Sequence, residues 1–375
     1  MSQLLDFSSK KQVFEFLEEK MSGASSDLYE EGRLGVGSYL LKSYVIEVNS
    51  HVNGDIDIQE LIKMFLDFIF PEKSLEIKQV DADLVAIEDI DKELLIFVEV
   101  RNRFWFLHSV SRAERVDHFV RNLQKHPAID RMWMWDEFLR GMITEHERIF
   151  KGFSIDYDNR SIMGEEEAQS SYTKMQIWGY GSKLLRLFED VHRALGDMSV
   201  LGKIRFKEGD SEEDYIITDI KWDGKVKSHG TSIIKHYNIL RSLVDKYATR
   251  LQTIENNRLA WGSFPFPSGH PFYIIFEEPI DEHTFYRLKE KMFTGKNPFR
   301  LLGFGEDVLH KGYVVSVVDM HIGKSFRMQM FPDMFALYVD ENVCGNTVIR
   351  LFANLQHTIG RRIFVESEGK RILGE

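Results

Sequence analysis

At 375 residues the chain is too long for one small hydrophobic core and calls for two or three domains. A hydrophobic share of 43% and a charged share of 29% exclude a disordered chain, and no apolar run approaches the roughly 18 residues of a membrane helix. The 48 basic and 59 acidic residues give a net charge of −11, which argues against indiscriminate coating of nucleic acid but leaves room for a local basic surface. No charged-then-apolar segment opens the chain, and the lone Cys344 can form no internal disulfide. Both point to a reducing, cytoplasmic setting, with Cys344 expected as a small buried residue.

Residues 1–37 read as an N-terminal helical arm, with Val13, Phe14, Phe16, Leu17 and Met21 on about one face. A first α+β unit is expected over residues 38–135. It opens with a strand, YLLKSYVIEVN, and a helix, DIQELIKMFLDFIF, whose Leu61, Met64, Phe65 and Phe68 recur at i, i+3, i+4 and i+7. The strand-like runs SLEIKQV, DLVAIEDI, ELLIFVEV and FWFLHSV follow. A second helix opens at Ser111-Arg-Ala-Glu114, the form of a capping box, and carries Val116, Phe119, Val120 and Leu123 on one stripe. Residues 136–170 read as a connecting helix and an acidic linker. The aromatic run MWMWDEF that leads into them is expected to be buried.

The same order returns over residues 257–375, behind a Pro-rich linker. HPFYIIFEE is a strand, DEHTFYRLKEKMF a helix, and RLLGFGED, YVVSVVDMH, SFRMQMF and FALYVDE are strands. In the closing helix Val348, Leu351, Phe352 and Leu355 repeat Val116, Phe119, Val120 and Leu123 at one constant offset. A related version fills residues 171–256: TKMQIWG, the helix KLLRLFEDVHRAL, then GKIRFKE, DYIITDIKW and KVKSHG. A long helix through Ile233, Tyr237, Leu240, Val244 and Leu251 ends it, with Thr231 or Ser232 as N-cap. Units of this size can each bury a core, so the repetition predicts tandem domains and not a solenoid. The expected fold is α+β: three tandem units of curved antiparallel sheet, each with two helices packed on one face.

The passage LLIFVEVRNRFWFLHSVSRAERVDHFVRNLQ and the strand-to-helix turn KVKSHGTSIIKHYNIL resemble the TATA-box-binding-protein family. Strand, helix, antiparallel meander and long closing helix is similar to the order of one half of that fold. The resemblance implies that the curved outer sheet face binds, with nucleic acid as the first ligand and protein as the second. Strand alternation turns Leu94, Ile96, Val98 and Val100 toward the helices and Leu95, Phe97, Glu99 and Arg101 outward, joined by Arg103 and Trp105. The same logic exposes Tyr215, Lys221, Lys225, Lys227 and His229 in the second unit, and Arg327, Gln329, Phe331 and Tyr338 in the third. Rings among cations suit base stacking and phosphate contact. The expected nucleic-acid-binding residues are therefore Phe97, Arg101, Arg103, Trp105, Tyr215, Lys221, Lys225, Lys227, Arg327 and Phe331. A scaffold whose sheet faces are consumed by packing between units is the plainer reading.

Asp83 on one strand and Glu99-Val100-Arg101 on the next also resemble the Asp…Glu-x-Lys pattern of restriction-enzyme-type nucleases. That resemblance implies two carboxylates holding Mg²⁺ and a cation steadying the attacking water. Arg101 stands where that family has lysine, and a guanidinium cannot exchange a proton with water. The matching strands YVVSVVDMH and SFRMQMF carry no such carboxylates. The expectation is thus a non-enzymatic binding protein without cofactor, with a Mg²⁺-dependent nuclease of Asp83, Glu99 and Arg101 as the alternative. The 13 histidines show no zinc spacing, and His118, His236 and His357 are expected at the surface or boundary of closing helices.

Overall fold

A computed structural model describes residues 7–30, 40–49, 58–70, 75–89, 91, 93–143, 148–164, 172–179, 182–209, 211, 213–260, 268–309, 312–360 and 362–374. Residues 31–39, part of the acidic linker and the middle of the Pro-rich linker (261–267) lie outside these residues, while residues 22–30 of the arm are helical. The protein is α+β, with antiparallel sheets. It divides into two compact units: residues 1–132, 146–149 and 205–244, and residues 133–145, 150–204 and 245–375. The stretch 171–256, expected as a unit of its own, is shared between them.

The first unit contains α1 (Lys10–Glu30), β1 (Leu41–Val48), α2 (Ile58–Ile69), β2 (Leu75–Asp81), β3 (Leu84–Asp89), β4 (Leu95–Glu99), β5 (Phe104–Ser109), α3 (Ala113–Leu123) and β6 (Ile129–Arg131). The second unit holds α4 (Asp136–Ile143), most of β7 (Arg148–Asp158), α5 (Arg160–Met163), β8 (Tyr172–Trp178), α6 (Ser182–Leu195) and the start of β9 (Leu201–Glu208). The chain then returns to the first unit with β10 (Ile216–Lys221), β11 (Lys225–Gly230) and the opening turns of α7 (Ile233–Asn257). Strands of the first unit lie in the order β2-β3-β4-β5-β1-β11-β10, with β6 also paired to β1. β10 and β11 therefore extend this sheet instead of building a third one.

One face of that sheet carries Ile46, Ile87, Ile96, Val98, Trp105 and Leu107. It packs on Leu61, Ile62, Phe65 and Leu66 of α2 and on Val116, Phe119, Val120 and Leu123 of α3. α3 starts at Ala113 without a side-chain cap. The Ser111 hydroxyl, expected in a capping box, instead accepts the Leu95 N–H at 2.9 Å. The opposite face is covered by α1, which is core and not an arm: Val13, Leu17 and Met21 are fully buried. At roughly 1.5–3 kcal/mol per buried side chain, these three contribute about 5–9 kcal/mol as an upper figure. The Asp81 carboxylate accepts the Lys10 N–H at 3.0 Å and so fixes the start of α1 on the β2–β3 turn.

The second unit closes with β12 (Phe272–Phe276), α8 (Glu282–Met292), β13 (Leu301–Val308), β14 (Gly312–Asp319), β15 (Lys324–Phe331), β16 (Met334–Tyr338), α9 (Asn346–Thr358), β17 (Ile363–Ser367) and β18 (Lys370–Leu373). Its sheet runs β13-β14-β15-β16-β12-β17-β18. Strand β12 thus lies between the last meander strand and the strand after the closing helix, as β1 does in the first unit. Phe285, Leu288 and Met292 of α8 are buried, as is every residue of α9. Arg350 of α9 and Asp319 at the end of β14 form an ion pair with no solvent exposure. β7, β17 and β18 were not anticipated. The β17–β18 turn puts Glu368 at φ 54° and Gly369 at φ 68°, the two left-handed positions of a tight hairpin.

Candidate functional site

The carboxylate pair raised by the sequence does converge, but around a lysine from elsewhere. Asp83 lies in the β2–β3 turn and Glu99 ends β4, with Leu84 and Glu99 as cross-strand partners. The Lys10 ammonium sits between them, 2.8 Å from Asp83 Oδ2 and 3.3 Å from Glu99 Oε2. Glu99 is buried, its Oε1 accepts the Tyr237 hydroxyl at 2.6 Å, and Arg101 lies 3.8 Å away. Burial acts to lower the Lys10 pKa, but the hydrogen bond to Asp83 and the charge of Glu99 outweigh it and the net shift is upward. Burial and the Glu99 hydrogen bond likewise raise Tyr237. A divalent ion needs carboxylate oxygens at about 2.0–2.6 Å, and bridging this pair would place it where the ammonium stands. The residues fit a lysine-bridged ion pair better than a Mg²⁺ site.

Behind this cluster lies a buried polar chain that the sequence reading missed. Ser43 Oγ is 2.7 Å from both His108 Nδ1 and His236 Nε2. His236 Nδ1 is 2.8 Å from Ser228 Oγ, which is 2.9 Å from Thr218 Oγ1. All five side chains are buried. Ser43 beside His108 has the spacing of a nucleophile and its base, yet without solvent access it serves the core. Burial lowers the His108 pKa to about 3 and holds His236 well below its ordinary value. His236 and His357, expected near the surface, are buried, while His118 is exposed.

The expected binding residues divide into three groups. Phe97 and Trp105 are both buried, Phe97 on the outward face as expected but covered there, and Trp105 on the inward face, which corrects its assignment. Phe97 lies under α1, with ring centroids 5.2 Å from Phe7 and 6.1 Å from Phe16. Trp105 pairs across the strand with Ile46 and so turns toward α2, 6.0 Å from the Phe65 ring. Arg101 and Arg103 are half-buried, the latter donating to Glu47 at 2.6 Å. Lys225 and His229 are buried, and Tyr215, Lys221 and Lys227 half-buried. The register turns Lys225 and Lys227 to the same strand face as Tyr44 and Lys42, the latter a residue the sequence reading did not single out.

Arg327, Gln329, Phe331 and Tyr338 share the face of the C-terminal sheet opposite α8 and α9. Cross-strand pairs Phe304–Ser316, Ser316–Arg327 and Arg327–Tyr338 run across that face. Ser316, Ser325 and Arg327 are exposed, Phe331 is half-buried, and Phe304 is 85% exposed. Val314, Val318, Tyr273 and Phe364 are half-buried on the same face, the Phe364 ring lying 3.8 Å under the Arg371 guanidinium. Alternation in RLLGFGED could have identified Phe304, since Leu302 and Phe304 share a parity with Arg327 through the register.

Comparison with known proteins adds relatives but no function. The family model for MJECL33-like protein matches residues 1–372. A protein of Methanocaldococcus jannaschii, described as uncharacterized protein MJECL33, is 23% identical over 413 aligned positions, which cover 99% of this chain and 97% of the relative. No solved structure matches. Among the described residues no helix is long and apolar enough to cross a membrane.

Proposed function

We propose that this chain, which belongs to the MJECL33-like family, is a macromolecule-binding protein that grips nucleic acid on the open face of its C-terminal sheet. Two units of TATA-box-binding-protein-like topology underlie the reading. In each, a first strand, a helix, a four-strand meander and a closing helix occur in that order, with the first strand beside the last of the meander. In the first unit α1 covers the face that would bind. In the second, the observation that carries the proposal is the open face itself, with Phe304 at 85% exposure among Arg327, Gln329 and Tyr338. An exposed apolar wedge beside arginine and amide donors is what minor-groove binders use, and the ring serves equally for stacking on single strands.

Binding of labelled DNA and RNA, single- and double-stranded, across about 50 to 200 mM salt tests this. A salt-sensitive complex is expected, weakened at least tenfold by Phe304→Ala and by Arg327→Ala with stability unchanged to within about 0.5 kcal/mol. No complex with any of the four, or a complex indifferent to both substitutions, removes the proposal. The nuclease reading draws less support, because the Lys10 ammonium already bridges Asp83 and Glu99 where the metal would stand.

A further inference from the structure

The first unit concentrates positive charge on one strand face, although the whole chain carries −11. Lys42 of β1 and Lys227 of β11 are direct cross-strand partners, and Lys225 pairs with Tyr44 on the same face. Lys42 is 1% exposed, its ammonium donating to the Leu40 carbonyl at 2.7 Å. Lys225 is 8% exposed and shares the Asp117 carboxylate of α3 with the Tyr44 hydroxyl. Lys227 is half-buried, sits opposite Asp219 across the strand and feels the charge of the Asp117 carboxylate.

The same charge surplus continues along the strands. Lys221 and Arg131 both reach Asp223 at 2.8 Å, and Arg205 pairs with Asp219 on β10. Lys42, Lys225 and Lys227 all lie in the field of the single Asp117 carboxylate. Burying an ammonium costs several kcal/mol even before like charges are placed beside it. A hydrophobic residue at position 42 would avoid that cost, so the fold alone gives no reason for three lysines here. A ligand of opposite charge does.

We propose that the strand face built from Lys42, Lys225 and Lys227 binds a phosphate-bearing anion, with Lys227 making the direct contact. Lys42 and Lys225 lie behind it and supply the field in which the anion sits. Asp117 holds Lys225 and the Tyr44 hydroxyl by hydrogen bonds and Lys227 by charge alone, so Lys227 is the lysine that can turn toward the ligand. The phosphate can be that of a small free anion or of a nucleic-acid backbone, since the cluster recognises the group common to both. The site is independent of the open face of the C-terminal sheet.

Burial and the neighbouring Lys227 and Lys225 depress the Lys42 pKa to about 7. An anion seated on Lys227 favours the charged form of Lys42 and draws it back up. Binding at neutral pH is therefore accompanied by proton uptake.

The experiment is titration calorimetry of the full chain at pH 7.5 with inorganic phosphate, pyrophosphate and a short single-stranded oligonucleotide, repeated in buffers of different ionisation enthalpy. Saturable binding with net proton uptake is expected for at least one probe. Lys227→Gln should weaken it at least tenfold, and Lys42→Met should abolish the proton uptake while leaving a folded protein. Binding of the small anions identifies a free phosphate ligand; binding of the oligonucleotide alone identifies the backbone. Because Phe304→Ala lies outside this site, it should leave the small-anion titration unchanged. No binding of any probe, binding indifferent to Lys227→Gln, or binding without proton exchange in the wild type overturns the proposal.

Discussion

Acidification should unfold the first unit through its buried imidazoles well before its carboxylates titrate. Burial holds His108 at a pKa of about 3, His229 at about 4 and His236 well below the ordinary value. Each is neutral in the folded state, while an unfolded imidazole titrates near pH 6.5. The folded state thus binds fewer protons than the unfolded state. The stability from these groups is complete above about pH 6.5 and is lost as pH falls toward the folded values. Between about pH 6.5 and 5 His108 and His229 each remove roughly 2 kcal/mol, and His236 acts in the same direction, so the loss is a large share of a typical domain's stability. Asp117 and Asp223 are held below the usual carboxylate range: burial opposes this, but the paired lysines prevail. Their contribution is lost only below about pH 4. Hydrogen exchange of the β1, β5 and β11 amides, corrected for intrinsic pH dependence, reads the first unit alone. His108→Gln with His236→Gln should flatten the pH dependence to the roughly 2 kcal/mol of His229. A double variant as pH-sensitive as the wild type would refute the assignment of neutral, buried imidazoles.

Two further outcomes follow from the α1 contacts. Glu99→Gln should lower stability by about 2 kcal/mol in denaturant unfolding, since it strips the charge that Lys10 and Arg101 face and weakens the Tyr237 bond. The wild type should leave plasmid DNA uncut in Mg²⁺ or Mn²⁺, and cleavage abolished by Asp83→Ala would reverse the reading of this pair. Leu17→Ala should cost about 2–5 kcal/mol as a core truncation; a loss under about 0.5 kcal/mol would return α1 to the status of a loose arm.

The helix stripes were legible in the sequence because period 3.6 and burial coincide in them: Val116, Phe119, Val120 and Leu123 are all buried on α3, as Val348, Leu351, Phe352 and Leu355 are on α9. The strand order was less so. Nothing in KVKSHG says that it pairs with LKSYVIEV and not with its own unit, since register is set by contacts distant in sequence. β7 was hidden behind its neighbours' charges, although Phe153, Ile155 and Tyr157 alternate within it and are buried. Trp105 was turned the wrong way because alternation was carried across the Arg101–Arg103 turn, where parity does not survive. Lys10 was invisible as a partner of Asp83 and Glu99, for ion pairs between elements leave no spacing signal.

The two sheets share a strand order and differ in the fate of the outer face, and the side chains on it explain why. In the first unit that face carries Ser43, Phe97, Glu99 and His108, which are buried and need covering partners; α1 and α7 supply Lys10, Tyr237 and His236. In the C-terminal sheet the corresponding surface carries Ser316, Ser325 and Arg327, which are exposed and need no cover at all. Phe304, beside the less exposed Leu302, departs from that pattern: at 85% exposure it adds nothing to the core, and a polar residue would serve folding equally well. A lone exposed ring would be unremarkable. A ring in register with an exposed arginine and a tyrosine, on a sheet face left open while its counterpart was closed, is an arrangement that folding does not require and that the proposed binding would use.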